Sequence, residues 1–151
     1  MVDVLDELGA KGFLSVSGNF SCGSNKLQNL DGAPKEVGMD FVCRYNQLQS
    51  LEGAPEKVGA HFSCMNNQLQ SLDGGPKEVE GDFSCSYNQL QNLDGAPKEV
   101  EGDFACIHNQ LQSLEGAPKE VGGHCFCMMN KVNFTKEDVL TVSDVGGEIY
   151  V

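Results

Sequence analysis

The sequence has no tryptophan and few basic residues: Lys and Arg together number 10, against 22 Asp and Glu, for a formal net charge of −12. Binding to nucleic-acid phosphates or to an anionic membrane needs clustered Lys and Arg, so this balance argues against both kinds of partner. The sequence also has no apolar run long enough for a signal peptide or a membrane-spanning helix. These absences predict a soluble, cytoplasmic protein.

The usual arrangements of catalytic and metal-binding residues are missing as well. No nucleophile has a partner base at fixed spacing, no Gly-rich phosphate loop precedes a helix, and the three histidines are scattered along the chain. Seven cysteines, an odd number without a signal peptide, indicate free thiols rather than disulfides. Cys125 and Cys127 form a C-x-C that has no second pair. We therefore predict no enzymatic activity, no cofactor and no metal.

What the sequence does contain is a repeat of 21 residues. Each copy carries Phe-x-Cys, then Asn-x-Leu, then a second Leu, an acidic residue, Gly, Pro and Val. The first column is Phe20, Phe41, Phe62, Phe83 and Phe104, with Cys125 in a sixth, degraded copy. A fixed period of this length is the mark of a solenoid, in which stacked rungs share one core.

The residue types within one rung predict its path. Phe-x-Cys alternates apolar and other residues, which is the period of a strand with one buried face. The Asn amide can hydrogen-bond the turning backbone that follows the strand. Gly95 and Pro97 then favour an irregular return leg, which closes with Val100 turned inward. Stacking of these rungs predicts one parallel sheet and mostly irregular return legs.

We expect a single domain over residues 1–151. Residues 1–17 form an N-terminal cap with a short helix, residues 18–133 form six repeats, and residues 134–151 form a C-terminal cap. In that last segment Thr135 and Asp138 are spaced as in a capping box, which predicts a helix through about Ser143, and "EIYV" can add a final strand. The predicted class is an α/β solenoid with helical caps.

The order of strand, Asn and Leu resembles the leucine-rich repeat, L-x-x-L-x-L-x-x-N-x-L. Phe83 and Cys85 take the two strand positions, Asn88 the asparagine and Leu90 the leucine after it. The match departs at the first leucine, where Gly or Glu stands and the nearby Val column substitutes. The consensus of the copies, LEGAPKEVGGDFxCxxNQLxSL, resembles short leucine-rich repeats of bacteriophages and some bacteria. The resemblance implies a concave sheet face that binds other proteins, a phage origin and action in the host cytoplasm.

The copies differ mainly at positions beside and between Phe and Cys, whose side chains should point away from the core. Aromatic residues, Arg and Met are enriched at interfaces, so we predict a recognition surface there rather than neutral drift on a solvated face. The candidate partner-binding residues are Asp40, Val42, Arg44, Tyr45, His61, Met65, Asn66, Asp82, Ser86, Tyr87, Asp103, Ile107 and His108.

Two features leave alternatives open. Phe126, Met128 and Met129 form an apolar patch at the end of the repeats, which is either a partner site or covered by the C-terminal segment. The column Asp31, Glu52, Asp73, Asp94 and Glu115 is acidic. The leading hypothesis is a non-enzymatic protein-binding module, a monomer or weak homodimer, with a protein partner. The alternatives are an acidic DNA mimic that inhibits a host enzyme, and a structural or self-assembling protein.

Overall fold

The computed structural model describes residues 15–151, which wind into a parallel β-solenoid with two sheets. Each rung contributes one two-residue strand to each sheet. The first, here named the Val sheet, contains in order β1 (Ser15–Val16), β3 (Glu36–Val37), β5 (Lys57–Val58), β7 (Glu78–Val79), β9 (Glu99–Val100), β11 (Glu120–Val121) and β13 (Asp144–Val145).

The second sheet, named the Phe sheet, lies on the other leg of each rung. Its strands are β2 (Phe20–Ser21), β4 (Phe41–Val42), β6 (Phe62–Ser63), β8 (Phe83–Ser84), β10 (Phe104–Ala105), β12 (Cys125–Phe126) and β14 (Ile149–Tyr150). All pairs are parallel and join equivalent repeat positions, such as Phe62 with Phe83. The repeat period therefore sets the register of both sheets.

The second sheet corrects the prediction of an irregular return leg. Gly and Pro do shape the turn before it, and Gly95 has a φ of +90°. The chain then straightens at Glu-Val, where Val58 and Val79 pair side by side with both side chains buried. Two residues are too few to show the alternation by which a strand is recognised in a sequence. The rung thus has two strands where one was predicted.

The α/β class and the length of the C-terminal helix also need correction, because the described residues contain almost no helix. The one helix there is α1, Lys136–Leu140, which ends before the predicted Ser143. At its start Thr135 and Asp138 form a capping box: the Thr135 hydroxyl accepts the Asp138 N–H at 3.1 Å, and the Asp138 carboxylate accepts the Thr135 N–H at 2.8 Å. The predicted N-terminal helix lies outside the described residues. Within residues 15–151, no helix has the length and hydropathy of a membrane span.

Stacked columns of identical side chains fill the core between the sheets. The Phe rings of successive rungs lie 5.2 to 5.8 Å apart between centroids and are nearly parallel. The Cys column, both Leu columns and the Val column are buried with them. Each rung therefore buries its apolar side chains against those of its neighbours, as expected for a solenoid.

The asparagine column satisfies the backbone where the Phe sheet ends. Asn67 shows the pattern: its Oδ1 accepts the Leu48 N–H at 3.1 Å, and its Nδ2 donates to the carbonyl oxygens of Cys43 at 3.1 Å and Cys64 at 3.0 Å. Asn46, Asn88 and Asn109 make the equivalent contacts in their own rungs. The predicted role of this amide is confirmed.

Candidate functional site

The predicted partner-binding residues lie along the outer side of the Phe sheet and the corner that follows it. The hydrogen-bond ladder runs beyond the two-residue strands, because Cys43 N–H donates to Ser63 O at 2.9 Å and Tyr45 N–H donates to Met65 O at 3.0 Å. Residues from the one before Phe to the one before Asn therefore keep the spacing between rungs. Their side chains form four parallel columns on this face.

The column before Phe has a structural role that the sequence did not reveal. Each side chain accepts the backbone N–H of the same position in the next rung: Asp40 accepts from His61 at 3.2 Å, and Asp82 accepts from Asp103 at 2.8 Å. The same contacts are made by Asn19, His61, Asp103 and His124. Asn, Asp and His all carry an acceptor close to the backbone, which explains why this column varies only among these three residues.

His61 takes part in that ladder through Nδ1, which lies 2.9 Å from the Asp82 N–H nitrogen and 3.2 Å from Asp82 Oδ2. One nitrogen cannot accept from the first and donate to the second at the same time. The shorter contact makes Nδ1 the acceptor and places the imidazole proton on Nε2. The described residues contain no cluster of three or more His, Cys, Asp or Glu suited to a metal ion.

The column before Asn has an unusual backbone. Its members all have positive φ: Ser24 (+61°), Tyr45 (+57°), Asn66 (+54°), Tyr87 (+58°), His108 (+52°) and Met129 (+61°). This left-handed conformation suits Gly and Asn, and a side chain with a β-carbon costs about 1 to 2 kcal/mol there. A Tyr or Met gives no sign of such a conformation in a sequence, so this feature was not predicted.

Large side chains in that column are nevertheless exposed to solvent. Tyr45 is 56% exposed and Met129 is 66% exposed. Tyr87, 42% exposed, stacks on His108 with ring centroids 4.4 Å apart. We name Tyr45, Asn66, Tyr87, His108 and Met129 the left-handed ridge.

The column after Cys flanks the left-handed ridge. Arg44 is exposed, with its guanidinium 6.0 Å from the Tyr45 ring, and Met65 and Ile107 are half-buried. Ser86 is only 1% exposed, so it is buried between neighbouring rungs and has no surface to offer a partner. Val42, between Phe41 and Cys43, is half-buried on the same outer face. Of the predicted contacts, Ser86 is therefore the one whose burial rules it out.

The apolar patch at the C-terminal end is extended rather than covered. Strand β14 pairs beside β12 in the Phe sheet, and Tyr150 stacks on Phe126 with centroids 4.7 Å apart. The His124 ring meets the edges of both rings at 6.1 and 6.0 Å. Because β14 adds to the sheet edge, the outer face continues into the last rung.

The cysteine column consists of core side chains. All seven cysteines are free and buried. Burial raises the pKa of Cys22 to about 12, and burial followed by the neighbouring thiol raises the pKa of Cys64 well above its ordinary value. Thiols that remain protonated at neutral pH are weak nucleophiles and poor metal ligands, so the column from Cys22 to Cys106 offers no reactive group. At its C-terminal end the pKa of Cys127 is lowered instead, by a hydrogen bond with the Cys125 thiol.

No protein-family profile matches this chain, and the comparisons with curated proteins and with solved structures find no significant match. The repeat of about 21 residues is seen in the sequence and the two parallel sheets are seen in the structure, so neither rests on a match to another protein.

Proposed function

We propose that this chain is a non-enzymatic repeat protein that binds another protein through the left-handed ridge and its flanking residues. The observation that carries the proposal is the choice of side chains at strained positions. Asn66 shows that a residue suited to positive φ can occupy the column. Tyr45, Tyr87, His108 and Met129 bear the conformational cost instead and are exposed to solvent. Strain retained at exposed sites points to function.

The composition of the surface favours a protein as the partner. Tyr, Arg and Met are enriched at the centres of protein interfaces, and the ridge with Arg44, Met65 and Ile107 consists mainly of these types and of apolar residues. The Asp and His column beside it is taken up by backbone hydrogen bonds. We therefore assign recognition to the ridge, while Asp40, His61, Asp82 and Asp103 beside it hold the rungs together.

We also propose kinship with the short leucine-rich repeats of bacteriophages and bacteria, and action in a host cytoplasm. Support for the kinship comes from the buried asparagine that follows each strand, as in the L-x-x-L-x-L-x-x-N-x-L motif. The second sheet is a departure from the single sheet implied by that resemblance. Seven free thiols fit a reducing compartment such as the cytoplasm.

The ridge is tested by replacing Tyr45, Tyr87, His108 and Met129 together with Asn. Asn suits the left-handed backbone, so we expect the variant to fold with stability within about 1 kcal/mol of the parent, after the loss of one ring stack. Proteins retained from a bacterial lysate by the parent are identified, purified and titrated against both chains by calorimetry. Removal of four exposed anchors should weaken binding at least about thirtyfold.

The matched control replaces four exposed side chains away from the ridge, Gln49, Gln70, Gln91 and Gln112, with Ala. It should bind the purified partner as the parent does. If the Asn variant binds as tightly as the parent, the ridge is not the recognition surface. If the only protein retained is another copy of this chain, sedimentation will show it, and self-assembly replaces recognition as the function.

A further inference from the structure

The Val sheet is partly open between β7 and β9. These strands are joined in register only through Val79 and Val100, whereas every other neighbouring pair in the described Val sheet has two registered residue pairs. Lys77 N–H donates to Glu56 O at 2.9 Å on one side, and Lys119 N–H donates to Lys98 O at 2.6 Å on the other. Within residues 15–151, the equivalent bond from Lys98 N–H to Lys77 O is missing.

The cause is the residue that follows Val in each rung. This position is Gly in most rungs, and an added β-carbon at Gly59 or Gly122 would overlap the carbonyl of the preceding rung. Glu80 follows Gly59 and keeps its ladder bond to Val58 O at 3.1 Å. Glu101 follows Glu80, so two neighbouring rungs carry a side chain where most rungs have Gly, and the ladder is open between them.

A groove of about 710 Å³ lies at this opening, on the outer side of the Val sheet. Its lining includes the apolar Pro76, Val79 and Pro97, four carboxylates and two ammonium groups. The charged residues are Glu78, Glu80, Glu99, Glu101, Lys77 and Lys98. A second groove of about 450 Å³ continues toward the C-terminus, shares Glu99 and Glu101, and adds Glu120 and Asp144. Six carboxylates against two lysines line the two grooves, which together make an acidic channel that crosses several rungs.

The chain itself shows what one pair of these carboxylates holds. Lys57 Nζ lies 3.2 Å from Glu78 Oε2 and 3.2 Å from Glu80 Oε1. It is placed there because its rung reads Pro-Glu-Lys where the other rungs read Pro-Lys-Glu. The ammonium group of Lys57 donates hydrogen bonds to Glu78 and Glu80, and these bonds, that to Glu78 first, raise the pKa of Lys57.

Glu99 and Glu101 repeat this pair one rung further on, without the lysine. The residue in the position of Lys57 is Glu78, an acid, and no Lys or Arg of the described residues is within ion-pair distance of Glu99 or Glu101. The pair therefore has the same sequence spacing as an occupied ammonium site. It also faces the open part of the Val sheet.

We propose that Glu99 and Glu101 bind the ammonium group of a lysine side chain on a partner polypeptide, which lies extended along the channel. The charge of the channel complements such a segment. A single exposed ion pair is worth little, so a free amine would be held weakly, and several lysines in one segment are needed for useful affinity. The continuation past Glu120 and Asp144 supplies the further carboxylates.

The test uses a fluorescent nonapeptide of alternating lysine and serine, measured by anisotropy at low and physiological salt. In the variant Lys77→Glu/Glu78→Lys the rung copies the Pro-Glu-Lys order, so the chain supplies its own lysine to Glu99 and Glu101. Its net charge is unchanged, and we expect peptide binding at least tenfold weaker. A second variant, Glu99→Gln/Glu101→Gln, should lose binding to the same extent.

The control is Glu52→Gln/Glu115→Gln. It changes the net charge by the same amount as the second variant, but the substitutions lie in the distant acidic column. Its affinity for the peptide should be within twofold of the parent's. Equal binding by the parent and the swapped variant would mean attraction to acidity in general and would overturn the proposal. The proposal would also be overturned if the free diamine cadaverine bound as tightly as the peptide, because the occupant would then be a small amine.

Discussion

At the scale of single residues, the asparagine column shows how one side chain stabilises two rungs. Asn67 accepts one backbone N–H and donates to two carbonyl groups, all of them buried. A buried backbone group without a partner costs about 1 to 3 kcal/mol. The amide is therefore more important to the fold than its polarity suggests.

We expect Asn67→Ala to lower the free energy of unfolding by about 2 to 4 kcal/mol, because the Leu48 N–H and the Cys43 and Cys64 carbonyls lose their partner. Urea denaturation followed by circular dichroism measures the change. The neighbouring substitution Gln68→Ala removes an exposed amide, and it should cost less than about 0.5 kcal/mol. Similar losses for the two variants would contradict the role assigned to Asn67.

The residue scale also shows where reasoning from the sequence reached its limit. Alternation correctly placed Phe and Cys in the core and Tyr45 on the surface. It could not separate Asp82, whose side chain accepts a backbone N–H, from Tyr87, which is free to meet a partner, because both lie on the outer face. Nor could it find that Ser86 is buried, since burial there comes from neighbouring rungs.

At the scale of elements, the strands are too short to be stable or recognisable singly. Glu-Val is a strand only because the same dipeptide lies on either side of it, and the paired Val side chains share the core. The repeat predicts the stacking, and the Gly and Pro of the preceding turn obscure the second strand. A period read from the sequence therefore predicted the solenoid and the Phe sheet but missed the Val sheet.

Amide exchange should reveal the opening between β7 and β9. The Lys98 N–H lacks the ladder bond that protects Lys77 and Lys119. We therefore expect it to exchange at least about fivefold faster than either, from a hydrogen bond worth about 1 kcal/mol or more. Hydrogen exchange followed by NMR resolves each amide. In Glu101→Gly the rung regains the residue found at Gly122, and the Lys98 amide should become protected.

Glu101→Ala separates shape from charge in the same experiment. It removes the carboxylate but keeps a β-carbon at the position where Gly122 has none. If the β-carbon opens the ladder, hydrogen exchange of the Lys98 amide remains fast in the Ala variant and becomes slower only in the Gly variant. Slowing in both would mean that repulsion between Glu80 and Glu101 is the cause.

At the scale of the whole molecule, the two sheets present different surfaces. The Phe sheet carries aromatic and apolar side chains that lie along the left-handed ridge, and the Val sheet carries an acidic channel. Both surfaces are made by small departures from a nearly constant repeat, such as Tyr in place of Asn or Glu in place of Gly. A constant core thus lets the surface change rung by rung without loss of the fold.

That same core predicts how the molecule responds to alkali. The five stacked thiols from Cys22 to Cys106 are buried, and burial raises the pKa of each above its ordinary value, to about 12 for Cys22. In the unfolded chain they ionise near pH 8.5. Between about pH 8.5 and the raised pKa values of the folded chain, the unfolded chain binds fewer protons than the folded one. Stability therefore falls as the pH rises through this range.

Each such thiol lowers the free energy of unfolding by about 1.4 kcal/mol for each unit rise in pH, and the five together lower it by about 7 kcal/mol. A domain stable by about 5 to 15 kcal/mol should therefore unfold within one to two pH units above pH 9. The free energy of unfolding, measured in urea from pH 8 to 10 with a non-thiol reductant, checks the slope. Cys64→Ala removes one of the five titrating groups, so its slope should be smaller by about a fifth. An unchanged slope would mean that ionisation of these buried thiols is not the cause of alkaline unfolding.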